Sequence, residues 1–144
     1  MRIEGAWALL DDGVVRPIIM GEILAEDNSW EKFPFLVDTG ADRTVFSAVT
    51  LAKLGFQPIA AQDGIGGLGG LADSVIIETQ VRLTREHNSK VTFRSQFAAV
   101  TELEALDINV LGRDITGLFA VIVDQPGKIV CLLGQRHSYS ISPA

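Results

Sequence analysis

Residues 35–47 constrain the fold more tightly than any other stretch. Phe35-Leu36-Val37 runs straight into Asp38, and Thr39-Gly40-Ala41 follows at once. The apolar residues before Asp38 suit a buried strand. Thr39, Gly40 and Ala41 are too small to fill a core, so the strand must open there into a tight turn. A carboxylate left at the end of a buried strand suits acid/base chemistry. Taken alone, Asp38 also reads as a turn residue capping nearby amides, because Asp and Gly are common turn formers. The rest of the chain decides between the two.

With 144 residues, of which 47% are hydrophobic and 21% charged, the chain predicts one globular domain spanning 1–144. Its core is expected over about 14–133, with a polar tail at 134–144. The formal net charge of -6 argues against a nucleic-acid partner or an anionic membrane, both of which call for basic patches. Cys131 is the single cysteine and the two histidines, His87 and His137, lie far apart in sequence. An internal disulfide and a Cys/His zinc site are therefore not expected, and neither a metal nor a cofactor is predicted. No basic start followed by an apolar segment reads as a signal peptide. No apolar run is long enough to cross a bilayer as a helix, so the expected location is the cytoplasm.

Short β-rich runs separated by turn signals fill most of the chain. Strands are expected at residues 6–10, from about Pro17 to Leu24, at 33–37 and at 44–47. Ser47 is placed to cap a helix that runs to about Leu54 and stops at Gly55. Longer strands follow at 74–83 and 91–100, then an acidic exposed segment at 101–107 and an apolar run at 108–111. One or two helical turns are expected over 115–119. The clearest hairpin is Phe119–Val123, a turn at Asp124-Gln125-Pro126-Gly127, and Lys128–Leu133. Seven to nine short strands with about two short helices predict a small all-β barrel or sandwich.

Between Gln62 and Gly70 five of nine residues are glycine, which excludes a packed helix or a stiff strand. Gly64-x-Gly66-x-x-Gly69 fits the spacing of a dinucleotide-binding loop, but β-branched Val75-Ile76-Ile77 follow where that loop requires a helix. A hairpin tip is the better reading. No Gly-x-Ser-x-Gly occurs, Cys131 sits in an apolar strand, and both histidines read as surface residues.

Three features occur together. Hydrophobic residues lead into Asp38-Thr39-Gly40-Ala41-Asp42, the glycine-rich segment begins 26 residues after Asp38, and Val110-Leu111-Gly112-Arg113-Asp114 precedes a short helix. In order and spacing the chain resembles the retropepsin-like (retroviral-type) aspartic proteases over roughly residues 14–133. The closing hairpin at 119–133 is more similar to the cellular and bacterial members than to the short viral enzymes. The tail after Leu133 departs from the family, since it shows no terminal strand pattern.

The resemblance implies a small closed β-barrel of the retroviral-type acid protease fold, with one or two short helices. It implies an aspartic endopeptidase acting on a peptide or protein substrate. Such hydrolysis needs two carboxylates sharing one proton, because two so close together cannot both ionise easily, as is established for aspartic proteases generally. This sequence holds one Asp-Thr-Gly, and Asp124-Gln125-Pro126-Gly127 reads as a turn, so the second carboxylate is expected from a homodimer with both Asp38 on its axis. By resemblance, Thr39 hydrogen-bonds across that axis and Gly40 lets the substrate backbone approach. Ala41 and Asp42 line the cleft. Gly64, Ile65, Gly66, Gly67 and Leu68 form a flap that closes over extended peptide. Arg113 and Asp114 give structural support, with the Arg113 guanidinium buried against Asp42. The binding-class alternative is a dimer of the same fold that holds peptide with weak or no catalysis.

Overall fold

The computed structural model describes residues 1–56, 60–67, 70–134, 138 and 140–143, with backbone alone at 60–67 and 70–72. In chain order the elements are β1 (Arg2–Glu4), β2 (Ala6–Leu9), β3 (Val15–Leu24), β4 (Trp30–Val37), β5 (Val45–Phe46) and α1 (Ala48–Leu54). They continue with β6 (Ala60–Gly67), β7 (Gly70–Thr84), β8 (Lys90–Val100), β9 (Asn109–Leu111), α2 (Arg113–Thr116), β10 (Ala120–Asp124) and β11 (Ile129–Leu133). The fold is all-β with two short helices, and eleven strands among the described residues exceed the seven to nine expected. Two strands lie outside the expected set: β6, where the glycine-rich segment read as unable to form a stiff strand pairs with β7 through its backbone, and β1. β1 carries only one inward residue, Ile3, and the sequence reading left it out.

Eight strands form one sheet in the order β2-β3-β4-β9-β5-β8-β7-β6. An additional β3–β7 pairing, Gly21↔Leu83 to Ile23↔Val81, closes β3, β4, β9, β5, β8 and β7 into a ring. The remaining strands form a second sheet, β1-β11-β10.

Alternation explains the wall that matters most. Phe33, Phe35 and Val37 of β4 are buried, while Pro34 and Leu36 between them are half-buried. Phe35 meets the ring of Phe46 edge-on at 6.3 Å, and Phe46 meets Phe97 at 5.3 Å. Burying each such ring contributes about 1.5–3 kcal/mol. Gly21 on β3 makes this packing possible, since a Cβ there would lie 2.9 Å from the Phe35 ring. Ser47 caps α1 by accepting from the Thr50 amide, and Gly55 ends it in the left-handed region at φ 75°. The β10–β11 hairpin forms where the sequence predicts it, with the Asp124 carboxylate accepting the Gly127 amide across the turn at 2.9 Å.

The Glu22 carboxylate on β3 binds Arg82 of β7 and Lys90 of β8, at 3.0 Å each. The Arg82 guanidinium lies 4.0 Å over the Trp30 ring. The Arg82 hydrogen bonds first, then Lys90, pull the Glu22 carboxyl from 4.5 down to about 2. Cys131 is buried, and burial pushes its thiol up. Among the described residues no helix is long and apolar enough to cross a membrane.

Candidate active site

β9 runs between β4 and β5, and this placement builds the site. β4 pairs with it in parallel, Phe35↔Asn109 to Val37↔Leu111, and Val45 of β5 pairs with Val110 from the other side. The chain leaving β4 must therefore cross the end of β9 to reach β5, and residues 38–44 are that crossing. The Asp38 amide extends the ladder by donating to Leu111 O at 3.2 Å. Beyond it the chain turns, with the Ala41 amide donating to Asp38 O at 3.2 Å. The half-buried Asp38 carboxylate accepts the Gly40 amide on Oδ1 at 2.9 Å. A Cβ on Gly40 would lie 3.3 Å from that same oxygen, so glycine gives the carboxylate room over the turn.

Gly112 lies directly beneath the crossing. A Cβ there would come within 2.3 Å of the Arg43 carbonyl carbon and oxygen, both backbone atoms that cannot swing aside. This close approach explains the glycine between β9 and α2. The helix that follows presses its first amides onto the same crossing. Arg113 N donates to Ala41 O at 2.8 Å and Asp114 N to Asp42 O at 3.2 Å. These contacts correct the predicted helix at 115–119, which instead spans Arg113–Thr116. Its start is drawn forward because the loop carbonyls satisfy amides that a helix end leaves open.

Asp114 holds the far end of the crossing. Its carboxylate accepts Thr44 N at 2.9 Å, the Thr44 hydroxyl at 2.7 Å and Ile115 N at 3.0 Å. The Thr44 hydroxyl in turn accepts Gly112 N at 3.1 Å. Thr44 is only 1% exposed and is the residue that sequence reasoning missed. Its partners Gly112 and Asp114 lie 68 and 70 residues away, so no local pattern marks it.

Arg113 reaches back across the loop, donating to Thr39 O at 3.0 Å and pairing with the Asp42 carboxylate. The pair is present, but its expected burial is not. The two side chains are 53% and 80% exposed. Asp38, Thr39, Gly40, Ala41, Asp42, Arg113 and Asp114 thus come together around one crossing.

Ala41 also packs on a small apolar cluster of Val45, Ala98, Val100 and Val110, with Ala105 and Leu106 from the acidic segment before β9. The glycine-rich segment forms the antiparallel hairpin of β6 and β7, with Gly66↔Leu71 and Gly67↔Gly70 paired and an irregularity between Gln62 and Ile65. The backbones of Gly64, Ile65, Gly66 and Gly67 lie in β6, whereas Leu68 and Gly69 lie outside the described residues. A strand follows the hairpin, not the helix a dinucleotide loop requires. His87 is exposed and His137 lies outside the described residues. Among the described residues no three acidic, histidine or cysteine side chains gather in a way that could hold a metal ion.

The aspartyl protease family model matches residues 24–136 of the chain. A retropepsin-like aspartic protease from Rickettsia conorii is similar in structure, with a TM-score of 0.58 and 21% identity, covering 92% of this chain and 90% of that one. The protease of EIAV, solved in complex with the inhibitor HBY-793, is similar with a TM-score of 0.50 and 23% identity, over 71% of this chain and 86% of that one. A search of curated protein sequences gave no match.

Proposed function

The chain belongs to the aspartyl protease family, and from that premise we propose that it is an endopeptidase whose working unit is a homodimer contributing one Asp38 from each protomer. The observation that carries this reading is the seating of Asp38. It stands half-buried at the end of β4, oriented by the Gly40 amide and fixed to β9 through its own backbone. Only one Asp-Thr-Gly exists in the sequence, so a second carboxylate comes from a second copy.

In the paired site the two carboxylates share one proton. The ionised member takes a proton from a water, which attacks the scissile carbonyl carbon. The protonated member donates a hydrogen bond to the carbonyl oxygen as charge develops there. Proton return to the leaving nitrogen breaks the C–N bond and frees an amine and a carboxylic acid. Thr39, exposed on one protomer, meets its symmetry mate and locks the two loops. Substrate lies extended between the loop and the β6–β7 hairpin, whose backbone at Gly64–Gly67 supplies strand-like hydrogen bonds. Ala41, Asp42 and Leu68 border the peptide. The unpaired, buried Cys131 fits a reducing compartment such as the cytoplasm.

The test compares wild type with Asp38→Asn on a peptide library between about pH 4 and 7. Cleavage by wild type and its loss in the variant support the reading. Equal cleavage by both refutes it. Peptide binding by both without cleavage by either transfers the fold to the peptide-holding class.

A further inference from the structure

Arg16 stands outside the crossing at residues 38–44, yet the sheet sets it beside that crossing. The last pair between β3 and β4 is Ile18↔Leu36. Two residues further, the same register brings Arg16 level with Asp38. Side chains two apart on a strand share a face, so Arg16 shares one with Ile18, Leu36 and Asp38. Its guanidinium joins two separate segments. Nη2 donates to the Asp12 carboxylate, in the turn between β2 and β3, at 2.6 Å. Nη1 stands 3.8 Å from the Asp107 carboxylate, in the segment that leads into β9. The first contact is a charge-assisted hydrogen bond, while the second is too long to be one. Among the described residues, Arg16 Nη1 is the one buried side-chain polar atom without a hydrogen-bond partner.

A buried guanidinium N–H left without an acceptor is costly and rare. Asp107 supplies one if it moves by about 1 Å. Its segment is held lightly enough for that. Glu102, Leu103, Glu104 and Asp107 are exposed. Thr101 N donates to Asp73 O and Ala105 N to Glu102 O, both at 3.2 Å. Exposed segments with few such bonds shift at low cost. The same segment also borders the candidate site. Ala105 and Leu106 pack on the cluster of Val45, Ala98, Val100 and Val110 that Ala41 touches. A displacement of Asp107 therefore moves a wall that adjoins the Asp38 crossing.

We propose that Arg16 is a positioning residue for the peptide cleft, and that the 101–107 wall closes on bound peptide as Asp107 settles onto Arg16 Nη1. The inference rests on the reading of the Asp38 loop as a peptide site. Arg16 touches no reacting atom and acts through Asp107. Asp12 holds the guanidinium still, so the moving partner is the exposed carboxylate. Arginine suits the task because one planar fork presents N–H groups to two carboxylates at once, whereas a lysine ammonium is a single point charge. A contact completed on binding and kept through the reaction strengthens substrate and transition state alike, so its loss appears in KM and leaves kcat nearly unchanged.

The test uses the full chain and reads cleavage and binding separately. Asp107 is 68% exposed, so Asp107→Asn is expected to fold as wild type does and is the decisive variant. Its KM for library peptides is expected to rise about 10-fold with kcat held within about twofold. Asp107→Glu, which keeps the charge, is expected to recover most of that loss. Arg16→Lys is expected to match Asp107→Asn, and the double variant to be no worse than either single one, because both changes remove one contact. An unchanged KM in Asp107→Asn, a loss confined to kcat, or additive losses in the double variant overturn the proposal. Should Arg16→Lys fail to fold, the Asp107 pair of variants decides alone. Binding is read without cleavage in an Asp38→Asn background, by fluorescence anisotropy of fluorescein-labelled library peptides. Adding Asp107→Asn there is expected to weaken binding about 10-fold, and equal affinity overturns the proposal. Wild type that binds peptide without cleaving it removes the peptidase reading and leaves this comparison to decide the role of Arg16. A chain that neither binds nor cleaves removes both.

Discussion

Thr44→Val removes one oxygen and tests how the Asp38 crossing is held. The Thr44 hydroxyl donates to Asp114 at 2.7 Å and accepts Gly112 N at 3.1 Å, at a residue 1% exposed. Losing a hydrogen bond to a charged acceptor costs about 1.5–3 kcal/mol, and leaving a buried amide unsatisfied costs about 1–3 kcal/mol. Asp114 keeps Thr44 N and Ile115 N as donors, which places the first figure at its lower end. The added methyl recovers about 0.8 kcal/mol of burial. The net expectation is about 2–3 kcal/mol. With a urea slope near 2 kcal/mol per molar, the unfolding midpoint falls by about 1–1.5 M, measured at fixed protein concentration because dimerisation contributes. Thr44→Ser keeps the hydroxyl and is expected to lose less than half as much. Peptidase activity of the valine variant is expected to fall even where it remains folded, since Gly112 and Asp114 anchor the loop on both sides. A midpoint shift below about 0.3 M, or a serine variant as damaged as the valine one, refutes the reasoning.

Gly112→Ala drives a methyl to 2.3 Å from the Arg43 backbone, so the loop or β9 must move by about 1 Å. The expected loss is about 3 kcal/mol with activity abolished, and wild-type thermal stability in this variant counts against the described crossing. Glu22 has a folded pKa depressed from 4.5 to about 2, mainly by Arg82, so its contribution is complete above about pH 4.5 and lost as pH falls towards 2. Its side chain is 21% exposed, and solvent screening brings the nominal 3 kcal/mol down to about 1–2 kcal/mol. Glu22→Gln is therefore expected to be less stable than wild type at pH 7, with the gap closing between pH 4.5 and 2 in urea titrations. A gap that widens on acidification contradicts the assignment.

Local signals explain what the sequence made legible. The Phe33/Phe35/Val37 alternation, the Ser47 cap with the Gly55 stop, and the turn at Asp124–Gly127 each depend on neighbours a few residues away. Each appears where those neighbours require it. Contacts between distant parts of the chain were less visible. β1 shows no alternation of its own and exists because Arg2–Glu4 finds Cys131–Leu133. The β3–β7 closure depends on Gly21 admitting the Phe35 ring, which no local pattern announces. The start of α2 was misplaced for a similar reason, since carbonyls at Ala41 and Asp42 decide it. The Asp42–Arg113 pair was legible from charge, but its exposure was not, because no local pattern reports what lies over the loop.

The threading of β9 between β4 and β5 bears on the order in which the molecule is made. Thr39 and the Arg113 that steadies it are 74 residues apart. Closing so long a loop carries an entropic cost met only when the distant strand arrives, and contacts of this kind slow folding. A nascent chain on the ribosome carries Asp38 long before Asn109–Leu111 is synthesised, and until then the carboxylate has no strand to register against. Translation therefore delivers the carboxylate early and its seat late. Whatever Asp38 does to a peptide is withheld from the growing chain and from any fragment that ends before β9.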